Sequence, residues 1–184
     1  NPNDQLFFED TGISRGIDYL IQKKIGVYTG WLGYTLSEVV HSFPDLANNP
    51  FYALNDQRHE LKIVNVLKKG QWDFGATWVY GSGKPYTAPK GIYTIKLLDG
   101  TETEYVNVGD KNGPRLAPYH RLDLSATYNF NVGSGKGSMG LSLFNLYNRS
   151  NTWYKEFEII ESEIIETNVN YLGFTPSLFF NVSF

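Results

Sequence analysis

The chain carries three histidines, His41, His59 and His120, each in a different segment and without the short-interval spacing of metal ligands. They read as rim histidines. There is no Cys, which removes thiolate metal sites, Cys nucleophiles and disulfides together. Gly-Ser-Gly-Lys occurs at 81–84 and at 133–136, but a phosphate loop needs Ser or Thr after the lysine, and here Pro85 and Gly137 follow. Both copies therefore read as turns. No G-x-S-x-G elbow is present, and no acid, base and nucleophile can be grouped by spacing, so the chain reads as a non-enzyme with no cofactor. Asn148-Arg149-Ser150 and Asn181-Val182-Ser183 match the glycosylation sequon and are expected to be empty. Glu156, Glu158, Glu161, Glu163 and Glu166 form an acidic stretch, read as a solvated charge run, with attraction for cations as the alternative. Arg121 and Asp123 remain, two opposite charges at every-second-residue spacing inside an otherwise apolar alternation.

That alternation sets the fold class. Arg121 to Val132 places Leu122, Leu124, Ala126, Tyr128, Phe130 and Val132 on one parity, with Arg121, Asp123, Ser125, Thr127, Asn129 and Asn131 on the other. This is a strand with one oily and one wet face. Five further stretches alternate in the same way: Ser14 to Lys24, Val27 to Ser37, Arg58 to Leu67, Trp72 to Tyr80, and Phe174 to Phe184. Met139 to Tyr147 alternates too, its parity slipping near Phe144 as a bulge would make it slip. Short turns are expected at Lys23–Gly26, at Lys68–Gln71 and at Gly133–Gly137. Long connections fall at 41–57, 81–118 and 148–173. The second includes a candidate hairpin turning at Asp99 and Gly100; in the third, EFEIIESEIIE reads as an amphipathic helix or, with its Ile pairs, a tall hairpin.

Composition agrees with an all-β chain. Aromatics make up 16% of its 184 residues, led by 13 Tyr and 12 Phe, and the formal charge of -3 leaves no basic excess to neutralise nucleic-acid phosphates. No apolar run is long enough for a transmembrane helix. Alternating strands average out in hydropathy, however, so a membrane β-barrel is not excluded. Short turns alternating with long loops are the asymmetry of outer-membrane barrels, short on the periplasmic side. Under that rule the last strand descends and the C-terminus is periplasmic. About seven strands is an odd number, whereas bacterial single-chain barrels have an even one, so the chain is expected to be part of a larger barrel. The opening NPNDQLFFEDTG has no signal-peptide pattern, which suits a processed or partial chain.

Seven stretches together resemble one family: GIDYLIQKK (16–24), TGWLGYTLS (29–37), RHELKIV (58–64), WVYGSGKPYT (78–87), PYHRLDLSATYNF (118–130), SLFNLYNRSN (142–151) and YLGFTPSLFFNVSF (171–184). In this order they are similar to the C-terminal third of the barrel of TonB-dependent outer-membrane receptors of Gram-negative bacteria, specifically those of Bacteroidetes. The resemblance implies an antiparallel transmembrane β-barrel segment of a 22-stranded barrel, and a role in energy-coupled uptake of a large scarce nutrient such as an iron chelate, a vitamin or an oligosaccharide. It implies as partners the remainder of the barrel and the plug, the TonB complex acting through the plug region this chain lacks, the lipid bilayer, and the outer-membrane assembly machinery. Phe180, Val182 and Phe184 match the family's C-terminal assembly signal. Arg121 and Asp123 then become lumen-facing candidates, as a wall ion pair or as a contact to plug or ligand. A soluble ligand-binding β-barrel or sandwich is the alternative, and it expects the Leu122 to Val132 face to be buried in protein. A barrel that works without TonB is another.

Overall fold

The computed structural model describes residues 11–43 and 49–183. All regular structure among them is β, in antiparallel sheets. Seven long strands form one sheet in chain order: β1 (Thr11–Lys23), β2 (Tyr28–Ser42), β4 (His59–Lys69), β5 (Trp72–Gly81), β8 (Tyr119–Val132), β9 (Gly135–Phe144) and β12 (Thr175–Ser183). A two-residue strand, β3 (Phe51–Tyr52), pairs with the far end of β2. Two hairpins stand apart from the sheet: β6 (Pro89–Lys96) with β7 (Glu102–Val108), and β10 (Thr152–Ile160) with β11 (Glu163–Asn170). Among the described residues the sheet does not close, and β1 and β12 are its two edges.

The turns at one end are tight because a glycine takes the left-handed region in each: Gly26 at φ 104°, Gly70 at φ 62° and Gly133 at φ 58°. All three connections at the other end are long. EFEIIESEIIE is a hairpin and not a helix. Glu161 and Ser162, at φ 50° and 63°, make a two-residue turn of the kind whose twist matches the strands it joins. The Asp99–Gly100 hairpin forms as its turn signal predicts. Thr101 N donates to Asp99 Oδ1 at 2.9 Å, and Gly100 sits at φ 89°.

The sequence reading needs correction in two places. The long connection after β2 begins only beyond Ser42, because Val40 and His41 still pair, with Tyr52 and Phe51. The third short turn is also shorter than expected, since β9 pairs with β8 in unbroken register from Gly135 to Leu143; the expected slip falls just beyond Phe144, where Asn145 takes φ 51° and Leu146 N–H reaches Leu122 O at 2.8 Å, one residue out of step. Gly137 is strand because the Phe130 ring lies over it, where a Cβ would come within 2.3 Å. Phe144 breaks the apolar parity without breaking the strand. It lies on the polar face because the Arg121 guanidinium stacks over its ring at 3.9 Å.

Register places the two parities on opposite faces of the sheet. One row across the apolar face runs Ile21, Leu32, Ile63, Trp78, Leu122, and another Leu67, Phe74, Ala126, Leu141, Leu178. Among the described residues no second layer packs on this face. Leu178 is 83% exposed and Phe180 70%, and Ala53, in the loop after β3, is the buried apolar residue among those described. Glycines and Pro85 aside, the other buried residues are polar: Asp56, Asn112, Asn145 and Asn151, all in connections at the long-loop end.

Candidate functional site

The polar face and the long-loop end together hold the candidate site. Arg121 and Asp123 share one side of β8, two residues apart, and they pair: Arg121 Nε lies 2.9 Å from Asp123 Oδ1 and donates to Oδ2 at 3.0 Å. Arg121 Nη1 also donates to the Tyr119 hydroxyl at 2.8 Å, and Asp123 Oδ1 accepts the Asn145 backbone N–H at 2.9 Å. The pair thus ties the polar face of β8 to the end of β9. Across the neighbouring strands, Lys62 and Val79 stand in line with Arg121, and Glu60 lies 3.4 Å from Lys62.

Beside these residues is a cleft of about 320 Å³. Its floor comes from β4, β5 and β8 and its wall from aromatics of the last long connection, Trp153 and Tyr171, with ring centroids 5.8 Å apart. Tyr119 meets Tyr171 edge-on at 5.6 Å. Aromatic faces opposite lysine, arginine and amide side chains can stack on a flat or ring-shaped ligand and hydrogen-bond its hydroxyls or carboxylates. The sequence alone singled out neither Trp153 nor Tyr171 as a site residue. Only the Trp-Tyr dipeptide at the start of β10 marked Trp153, and nothing local linked it to Tyr171.

The long-loop end is held by side chains that imitate strands. Asn151 receives His120 N–H on Oδ1 at 3.1 Å and donates Nδ2 to His120 O at 3.0 Å, the two bonds a paired strand would make. Asp56 does related work for Val39, whose N–H donates to Asp56 Oδ1 at 2.7 Å while Val39 O accepts from Ala53 N at 2.9 Å. The other Asp56 oxygen takes Arg115 Nη2 at 2.5 Å, and Arg115 Nη1 reaches Gly83 O at 3.1 Å. Gly83 is required there, since a Cβ would sit 1.7 Å from Leu116 O. Asn145 bridges Arg149 O and Leu172 O through Nδ2, and Asn112 donates to Tyr52 O at 2.7 Å.

The histidines go to three separate places. His59 Nδ1 is 2.8 Å from the Tyr34 hydroxyl and His120 Nδ1 is 2.8 Å from that of Tyr147, while His41 stacks with Phe43 and Phe51. No group of three potential metal ligands exists among the described residues. The acidic stretch lies along the β10–β11 hairpin, where Lys155 pairs with Glu166, and that bond lifts the Lys155 ammonium above its ordinary pKa. Ser162 at the hairpin tip donates to Glu104 of β7 at 2.5 Å, so the two hairpins touch. Asn148 of the first sequon accepts the Phe174 N–H at 2.8 Å.

Phe180 and Val182 lie on the apolar face of β12, opposite Met139 and Gly137 of β9. Phe184 lies outside the described residues. Phe179 points the other way, over Gly140, where a Cβ would meet the ring at 2.5 Å. Compared with models of protein families, with curated proteins and with solved structures, the chain gives no match.

Proposed function

We propose that the chain is the C-terminal section of the β-barrel of a TonB-dependent outer-membrane receptor of the Bacteroidetes type, which takes up a large scarce nutrient using energy relayed through TonB. The observation that carries this reading is the uncovered apolar face. On β5 it spans the nine residues from Trp72 to Tyr80, with aromatics at both ends. That is about 27 Å along a strand, or about 20 Å of height at a tilt of about 40°, close to the apolar band of an outer-membrane barrel. Removing a fully exposed Leu or Phe side chain from water is worth roughly 1.5–3 kcal/mol, and this face offers many. Lipid can cover it all.

The unpaired edges support a partial barrel, since lipid cannot satisfy open backbone groups and further strands can. A soluble sandwich would place a second sheet over Leu122, Leu124 and Ala126, and none lies there among the described residues. In this reading the short turns are periplasmic, the aromatic-walled cleft opens toward the nutrient path, and Arg121 and Asp123 face the lumen. The test uses the intact receptor in bilayers whose acyl chains carry bromine. Trp72 and Trp78 are expected to be quenched, while Trp31 on the opposite parity and Trp153 in the cleft stay bright. Unquenched Trp72 and Trp78 would sink the membrane reading.

A further inference from the structure

Toward the long-loop end the apolar face carries a charged cluster. Arg15 of β1 and Glu38 of β2 are register partners, and Arg58, just before β4, reaches the same carboxylate. Arg15 donates Nε and Nη2 to Glu38 Oε2 at 2.8 and 2.5 Å, and Arg58 donates Nη1 to Oε1 at 2.5 Å. Both carboxylate oxygens are thus occupied, and two guanidiniums share one negative charge. The site carries one excess positive charge, and Arg15 Nη1 and Arg58 Nε and Nη2 are not used on Glu38. The Glu38 side chain is 15% exposed, whereas Arg15 and Arg58 are 75% and 46% exposed. The three side chains line a groove of about 290 Å³ whose other wall is Ile17 and Leu36. On the same face Tyr19 and Tyr34 lie four residues further toward the short turns.

We propose that this groove binds the phosphate-bearing headgroup of a lipid in the outer leaflet; the inference rests on the outer-membrane reading above. The two guanidiniums supply forked donors matched to phosphate oxygens. The Ile17 and Leu36 side chains continue the groove toward the apolar band, where an acyl chain runs. A free anion would use only the first of these features. Glu38 holds the guanidiniums in place while repelling the phosphate, so it sets the affinity below what two bare arginines would give.

The experiment is native mass spectrometry of the delipidated intact receptor in non-ionic detergent. It is incubated with dipalmitoyl phosphatidic acid or with dipalmitoylglycerol, which differ only in the phosphate. Retention of phosphatidic acid is expected at least tenfold above that of dipalmitoylglycerol. The double variant Arg15→Gln/Arg58→Gln should lose that preference, Glu38→Gln should raise retention several-fold, and Lys90→Gln, a cation on the β6 hairpin, should leave it unchanged. Equal retention of the two lipids, or a double variant that keeps the preference, overturns the site. Displacement of the lipid by inorganic phosphate at equal concentration overturns the lipid assignment. Quenching of Trp72 and Trp78 by brominated lipid is followed in parallel. Its loss in wild type overturns both readings, whereas quenching without a phosphate preference overturns this one alone. Should the double variant lose quenching, the Glu38→Gln response and the contrast between the two lipids decide.

Discussion

At the level of single residues, cohesion at the long-loop end comes from buried polar side chains rather than from an apolar core. Asp56 is fully buried and bonds both Val39 N–H and Arg115. Replacing it with Ala strands a guanidinium and an N–H together, and breaking a buried pair costs about 3–5 kcal/mol. Arg115 keeps a flank in water, so Asp56→Ala is expected to cost about 3 kcal/mol, seen as faster amide exchange at Val39 and Leu116. Asp56→Asn retains an acceptor for Val39 and should fall between Ala and wild type. Little of this network was legible beforehand. Asp56, Asn112 and Asn151 sit in loop sequence that looks like any polar connection, and their partners lie far along the chain. Arg121 and Asp123 did stand out, because charge inside an apolar alternation is visible from spacing alone.

Individual strands and hairpins respond to turn chemistry. The turn at Glu161 and Ser162 places two side-chain-bearing residues in the left-handed region, at about 1–2 kcal/mol each. Glu161→Asn with Ser162→Gly is expected to stabilise the β10–β11 hairpin by about 1–2 kcal/mol, measured as slower proteolysis within 156–166. At the other hairpin the Thr101 backbone N–H and hydroxyl hold the Asp99 carboxyl below its ordinary pKa. A carboxyl lowered on folding stabilises above its unfolded pKa, and that stability fades as pH falls through the folded value. The Asp99 titration followed by carboxyl NMR should have its midpoint below the usual aspartate range, and Thr101→Val should shift it upward. Strand positions were legible to within a few residues, since a period of two is written locally. The ends of β2 and β9 were not, because each is decided by something outside the strand: β3 pairing with Val40 and His41, and the Phe130 ring demanding Gly137. The helix-or-hairpin ambiguity of EFEIIESEIIE was settled by a turn that has no Asn or Gly to announce it.

For the whole molecule, the two faces predict opposite tolerance to charge. On the proposed barrel reading, Leu141→Arg, central on the apolar face, is expected to cost about 2–4 kcal/mol, whereas Thr127→Lys, beside Asp73 on the opposite face, should cost under about 1 kcal/mol; reversible unfolding of the full-length protein in bilayers measures both. The seven long strands follow one another across the sheet in chain order, and this gives the sheet something like a reading frame. Each turn hands its register to the next strand, and a shift of one residue exchanges the two faces of everything it pairs with. Deleting one residue at Gly70 would leave β1, β2 and β4 in frame and present β5, β8, β9 and β12 inside out, charges to the oily side and leucines to the wet one. Three short turns with left-handed glycines thus act as the punctuation on which the meaning of every later strand depends.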